Sequence, residues 1–277
     1  MKKGFSDFFH CLVRPHRAYG DTMIIEANVS PHESQSMNNS GAGAIQGKVT
    51  LVTGASRGIG LAVARSLARM GAQVALCARD EGRLAAIANE LGRDGHKAAA
   101  IPADVSQASG AASAVQRTEQ ALGPIEILVN NAGIGYFAPV QEASEENWDA
   151  VIDTNLKSVF LLSKAVAPGM IRLHGGHIIN IASLAGKSAF AGGSIYCASK
   201  WGLLGLTQCM AEDLRPHGIR VSAICPGSVN TEFSPHVGKD PAKMLQPEDV
   251  AHAVEAIVTQ EPQSFISEIL LRPTQKP

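Results

Sequence analysis

Residues 49–70 read VTLVTGASRGIGLAVARSLARM, and this stretch decides the fold. Its first five residues are apolar and β-branched, the composition of a short strand. Beyond Gly60, Leu61, Val63 and Leu67 continue as a helical pattern. Between the two lie Gly54, Gly58 and Gly60, spaced G-x-x-x-G-x-G rather than G-x-G-x-x-G. Glycines at a strand-to-helix turn let the backbone approach a pyrophosphate, whose charge then meets the free amides and positive dipole end of the helix.

The same alternation runs outward from this turn. Apolar runs at 49–53, 73–78, 97–102, 125–130, 177–183, 219–225 and 267–272 are separated by helical patterns at 58–70, 80–93, 106–121, 144–172, 194–215 and 247–259. Strands alternating with helices predict an α/β fold. We expect a single Rossmann-type doubly wound domain over residues 47–277, with a seven-stranded, mostly parallel sheet and helices on both faces. Its rhythm breaks at 226–247, where four prolines interrupt any period, so residues 228–246 read as a long loop over the sheet edge.

Composition narrows the function. The chain has 277 residues, 45% of them hydrophobic, and 24 Lys and Arg against 25 Asp and Glu, a formal net charge of −1. Such balance gives no field attracting nucleic acid or an anionic membrane. The five cysteines, Cys11, Cys77, Cys197, Cys209 and Cys225, form no C-x-x-C pair, which fits a reducing cytoplasm rather than a disulfide framework. Residues 1–46 are expected to be a disordered N-terminal extension. Asp7, His10 and Arg14 interrupt its apolar residues before they reach the length of a signal sequence. No run of about 18 apolar residues predicts a membrane span.

Further motifs follow in order: Asn130-Asn131-Ala132-Gly133 after the fourth strand, Asn155 in the next helix, Ser183 ending the fifth strand, Tyr196-Cys197-Ala198-Ser199-Lys200, and Pro226-Gly227 closing the sixth. Together with Thr53-Gly54 and the glycine turn they resemble the short-chain dehydrogenase/reductase family over residues 47–272. The resemblance implies a nicotinamide cofactor held by Gly54, Ser56, Arg57, Gly58, Ile59 and Gly60, with Asp104 and Val105 at the adenine. Asn131, Ala132 and Gly133 would pass beneath the cofactor, and Pro226, Gly227, Val229 and Thr231 would hold the nicotinamide end. The second strand ends Ala78-Arg79, where the family's NAD-binding members carry an acidic residue. Arg79 and Arg57 can form a guanidinium clamp on a 2′-phosphate, which favours NADP(H) over NAD(H).

Tyr196 and Lys200 stand one helical turn apart on one face. An ammonium beside a phenol favours the phenolate and lowers its pKa, so Tyr196 can exchange a proton with a carbonyl or alcohol oxygen. Ser183 would donate a hydrogen bond to that oxygen. By resemblance, Lys200 also contacts the nicotinamide ribose, and Asn155 holds a water in a proton relay. The implied activity is NADP(H)-dependent hydride transfer between the nicotinamide and a carbonyl or secondary alcohol.

The sequence leaves the substrate open. Residues 184–194 and 228–246 should select it, and they mix Phe190, Phe233 and Val237 with Lys187, Glu232, His236 and Lys239. A 3-oxoacyl-[acyl-carrier-protein] reductase is one alternative, although the ending SEILLRPT lacks the terminal T-G-x-x-x-x-x-D-G-G of those enzymes. A catalytically silent NADP-binding regulatory protein on the same fold is another. His174-Gly-Gly-His177 has metal-like spacing but no third ligand, and reads as a loop. Trp148 and Trp201 are expected in the core or at a subunit interface. The resemblance implies a homotetramer or homodimer acting on a small molecule, with helices 144–172 and 194–215 at one interface.

Overall fold

The computed structural model describes residues 44–233 and 240–277. β1 (Val49–Thr53) leads through the glycine turn into α1 (Gly58–Arg69). Then follow β2 (Gln73–Ala78), α2 (Glu81–Arg93), β3 (Ala98–Pro102), α3 (Ala108–Leu122) and β4 (Ile127–Asn130). The second half comprises α4 (Glu145–Ile152), α5 (Ser158–Arg172), β5 (Gly176–Ile181), α6 (Ser194–Leu214), β6 (Ile219–Pro226), α7 (Pro247–Val258) and β7 (Glu268–Leu271).

The strands form one seven-stranded sheet in the order β3-β2-β1-β4-β5-β6-β7. The expected sheet was mostly parallel; every pairing within it is parallel. Side chains alternate between its faces, as the pleat requires. Val52, Leu76 and Val129 join the core beneath α1 and α7, whereas Leu51, Ala75 and Leu128 join the core beneath α3 and α5. Strand order reverses between β1 and β4, and the crevice opened at such a reversal, at the carboxyl ends of the strands, is where this architecture places ligands.

Four expectations change. Ile45 is 1% exposed and belongs to the core under α1, so the folded region begins within the stretch assigned to the extension. The extension over residues 1–43 lies outside the described residues. The single helix read over 144–172 is two helices, α4 and α5, joined by a π turn over Asp153–Lys157. Hydrophobic period does not reveal that turn, within which Asn155 hydrogen bonds to Ile134 and Ser199. The loop at 226–247 is not devoid of structure: Val229 bridges Leu245 and a 3₁₀ turn spans Pro241–Lys243. Residues 234–239, with His236, Val237 and Lys239, lie outside the described residues. Trp148 and Trp201 are exposed, which removes the core half of the expectation that they lie in the core or at a subunit interface.

Candidate active site

The turn after β1 is built on close backbone approach. Gly54 has φ +64° and Gly58 φ +54°, both in the left-handed region. A Cβ on Gly60 would stand 2.3 Å from the Gly54 carbonyl oxygen, so a side chain there would push α1 away from β1. Gly60 therefore sets the packing of the turn, while Gly54, Ser56, Arg57, Gly58 and Ile59 line a cleft of about 1970 Å³. No side chain caps the first amides of α1. A glycine cradle at an uncapped helix start fits the pyrophosphate of a dinucleotide.

Thr53 ties this turn to β4. Its hydroxyl accepts from the backbone amides of Asn131 and Ala132, each at 3.0 Å. The Asn131 side chain returns the link by donating to the Thr53 carbonyl at 2.9 Å. Asn131 thus holds the chain that forms the cleft floor, where Ala132 and Gly133 also lie. Neighbouring Asn130 works in the core, donating to Asn180 at 2.9 Å.

At the end of β2, Arg79 is exposed and lines the cleft with Arg83. Asp80 beside it caps α2, its carboxylate accepting from the Arg83 amide at 2.9 Å. That contact engages Asp80 in the cap, while Arg79 stands at the cleft. Arg57 reaches across to Glu232 at 2.6 Å, and so joins the glycine turn to the segment after β6. Asp104 accepts from the Ser106 amide and hydroxyl at 3.1 and 2.7 Å, and lines the cleft with Val105.

Pro226, Gly227, Val229 and Thr231 border the same cleft, with residues 272–277 of the C-terminal segment. Ser183, Tyr196 and Lys200 line it too. Ser183 follows β5, and its hydroxyl accepts from the Ala185 amide at 3.1 Å beside the Tyr196 phenol. The Lys200 ammonium donates to the Ile181 carbonyl at 2.9 Å and stands 5.8 Å from the centre of the Tyr196 ring.

The expectation that the ammonium would dominate the phenol is corrected. Burial pushes Tyr196 up to about 12, against the opposing pull of the Ser183 hydrogen bond. Burial also brings Lys200 down to about 8. Desolvation is the largest cause in each case, and it disfavours both charged forms.

Asn155 does not line the cleft; it is 1% exposed inside the π turn. Its carboxamide accepts from the Ile134 amide at 2.8 Å and donates to the Ile134 carbonyl at 2.9 Å. It donates also to the Ser199 hydroxyl at 3.1 Å, which in turn donates to the Tyr196 carbonyl at 2.7 Å. Asn155 therefore fixes the chain after β4 and the first turns of α6 at once. Reading the sequence missed Ser199 and Thr53, although both lie inside quoted motifs. It also missed Phe137, whose ring meets Tyr196 edge-on at 5.4 Å.

His177, weighed as a metal ligand, is buried in β5 with Nε2 2.9 Å from the Ser222 hydroxyl. No helix among the described residues is long and apolar enough to cross a membrane.

A doubly wound parallel sheet with a glycine cradle at its switch point and a Ser–Tyr–Lys group on the cleft wall defines a Rossmann-type oxidoreductase. The chain belongs to the short chain dehydrogenase family, whose model matches residues 48–242. An uncharacterized oxidoreductase of Staphylococcus saprophyticus is 37% identical over 231 residues, covering 83% of this chain and 98% of the relative. A protein named as ketoacyl reductase 1 of the granaticin polyketide synthase in Streptomyces violaceoruber is 44% identical over 200 residues, covering 72% of this chain and 74% of its own. A metagenomic short-chain oxidoreductase solved in complex with NADP is 45% identical, with a TM-score of 0.75, covering 84% of this chain and all of that one.

Proposed function

We propose that the chain is an NADP(H)-dependent oxidoreductase acting on CH–OH groups, moving a hydride between the nicotinamide and a carbonyl or secondary alcohol. The observation that carries this reading is that Ser183, Tyr196 and Lys200 line one glycine-cradled cleft, with Lys200 one turn along α6 from Tyr196. Arg57 and Arg79 at the cleft, with Ala78 where an acidic residue would serve NAD, support NADP(H). The NADP held by the metagenomic relative supports it as well.

When bound, the nicotinamide supplies or takes up the hydride. Tyr196 protonates the substrate oxygen during reduction and removes its proton during oxidation. Ser183 donates a hydrogen bond to that oxygen and stabilises the charge developing there. The Lys200 ammonium favours the phenolate when the proton leaves, while Asn155 keeps Tyr196 and the chain after β4 in place through Ser199 and Ile134 rather than by holding a water. Pro226, Gly227, Val229 and Thr231 would orient the nicotinamide, and that orientation supplies much of the rate.

The exposed aromatic side chains of Trp148, Phe160 and Trp201 on α4, α5 and α6 support assembly as a homotetramer or homodimer. Cys77, Cys197, Cys209 and Cys225 are free thiols, in keeping with work in the cytoplasm. The similarity to a ketoacyl reductase favours one second reading, reduction of a 3-oxoacyl thioester.

Purified protein screened against ketones, aldehydes and a 3-oxoacyl thioester with NADPH and NADH in parallel tests the proposal. Turnover with NADPH is expected. Tyr196→Phe should lower kcat about a thousandfold while NADPH still binds, as loss of a proton donor requires. Full activity in that variant would remove Tyr196 from the mechanism.

A further inference from the structure

Three phenylalanines from three separate connections converge at the reacting group. Phe137 follows β4, Phe190 precedes α6 and Phe233 follows β6. Phe137 meets Tyr196 at 5.4 Å between ring centres with planes 69° apart, and Phe233 meets it at 5.8 Å and 54°. Phe190 extends the group, 5.9 Å from Phe137.

Glycines make room for these rings. A Cβ on Gly135 would lie 2.8 Å from Phe137 and 3.0 Å from Phe233, and one on Gly193 would lie 2.7 Å from Phe190. The rings rest on Tyr196 and on one another, with glycine backbone close beside them. Yet they remain open to the cleft, with 41% of Phe137, 49% of Phe190 and 41% of Phe233 exposed. Three large apolar side chains left uncovered around a reacting phenol are unfavourable in water, and a ligand that covers them removes that cost.

Three ion pairs lie around the cleft. Lys187 pairs with Glu268 at 2.9 Å, Arg57 with Glu232 at 2.6 Å, and Lys157 with Asp153 at 3.0 Å. The side chains in ring contact with Tyr196 are thus aromatic, while Arg272 and Lys276 line the cleft from the C-terminal segment.

We infer that the substrate is a phenyl-substituted ketone with its ring one methylene from the carbonyl, or the corresponding secondary alcohol, whose ring packs among Phe137, Phe190 and Phe233 while its oxygen lies at Tyr196 and Ser183. This inference rests on the oxidoreductase reading above and names its substrate class. A substrate ring among these three completes an aromatic cluster of edge and offset contacts, the arrangement that rings prefer. Phe137 is then a specificity determinant that stands in no sequence motif.

The test compares 1-phenylpropan-2-one with butan-2-one and with 2-oxobutanoate, all with NADPH and the full chain. The phenyl ketone should exceed both in kcat/KM by about tenfold or more, the discrimination that an apolar pocket gives to added apolar surface. Calorimetry on the protein with NADP should show 1-phenylpropan-2-ol binding more tightly than butan-2-ol by a similar factor. Phe137→Ala and Phe190→Ala, each checked for folding by NADPH binding, should lower the phenyl-to-alkyl ratio about fivefold.

A preference for butan-2-one or 2-oxobutanoate, or a ratio unchanged in both variants, overturns the inference and leaves the oxidoreductase reading standing. No turnover of any carbonyl by protein that binds NADPH overturns both.

Discussion

Arg57 Nη1 stands 2.6 Å from Glu232 Oε2, an ion pair that spans the mouth of the cleft from the glycine turn to the segment after β6. Both side chains are largely exposed, so water screens the pair and a dianionic phosphate competes well for the guanidinium. Arg57→Ala should raise KM for NADPH about tenfold, as loss of a charge-assisted contact requires, and change KM for NADH far less. Glu232→Gln should act in the opposite sense, because it frees Arg57. Parallel kinetics with the two cofactors check this, and equal effects on both would take Arg57 out of phosphate recognition.

Gly60→Ala places a methyl group 2.3 Å from the Gly54 carbonyl oxygen and 2.5 Å from the Asn131 amide nitrogen. Both are parts of the link between β1 and β4, so neither yields without moving the turn. The variant should lose about 1–3 kcal/mol of stability and bind NADPH at least tenfold more weakly. Thermal unfolding and fluorescence titration measure the two effects. Wild-type values in both would show that the turn tolerates a side chain.

Asn155→Ala strips the Ile134 amide and carbonyl of their partner and removes the donor to Ser199. Each buried group left unsatisfied costs about 1–3 kcal/mol. We expect a lower Tm together with faster hydrogen exchange at the Ile134 amide, a local signature that general destabilisation would not confine to this segment. Unaltered exchange at Ile134 would contradict the positioning role.

His177 gives the fold an acid-sensitive element. Burial lowers its pKa from the ordinary 6.5 to about 3, with help from Arg220 and Lys48. The unfolded chain takes up a proton below 6.5, whereas the folded chain refuses it until about 3. Stability from this group is therefore complete above 6.5 and drains away as pH falls through that window, by at most about 1.4 kcal/mol per unit. His177→Gln should flatten the fall in Tm between pH 6.5 and 3 relative to wild type. Parallel curves for the two proteins would refute the assignment.

Reading of the chain reached the sheet, the glycine turn and the Tyr196–Lys200 pair because each is written locally, in a period or a spacing. Asn155 was legible as a motif residue, but the π turn around it was not, since its partners Ile134 and Ser199 are far away in the chain. Phe137 carries no periodic signal, and its importance arises only when three connections meet. The upward shift of Tyr196 was invisible for a related reason: sequence shows a neighbouring charge but not the burial that outweighs it. Ile45 shows the same limit, one apolar residue among small and polar ones that nevertheless packs under α1.

The π turn over Asp153–Lys157 also sets the phase between α4 and α5. In an unbroken helix Trp148 and Phe160, twelve positions apart, would point roughly 120° from each other. One surplus residue in the intervening turn reduces that to roughly 20°, so both exposed rings project along nearly the same line. The irregularity that buries Asn155 therefore also aligns an aromatic stripe on the outside of the molecule, and a single-residue deletion there would misalign it.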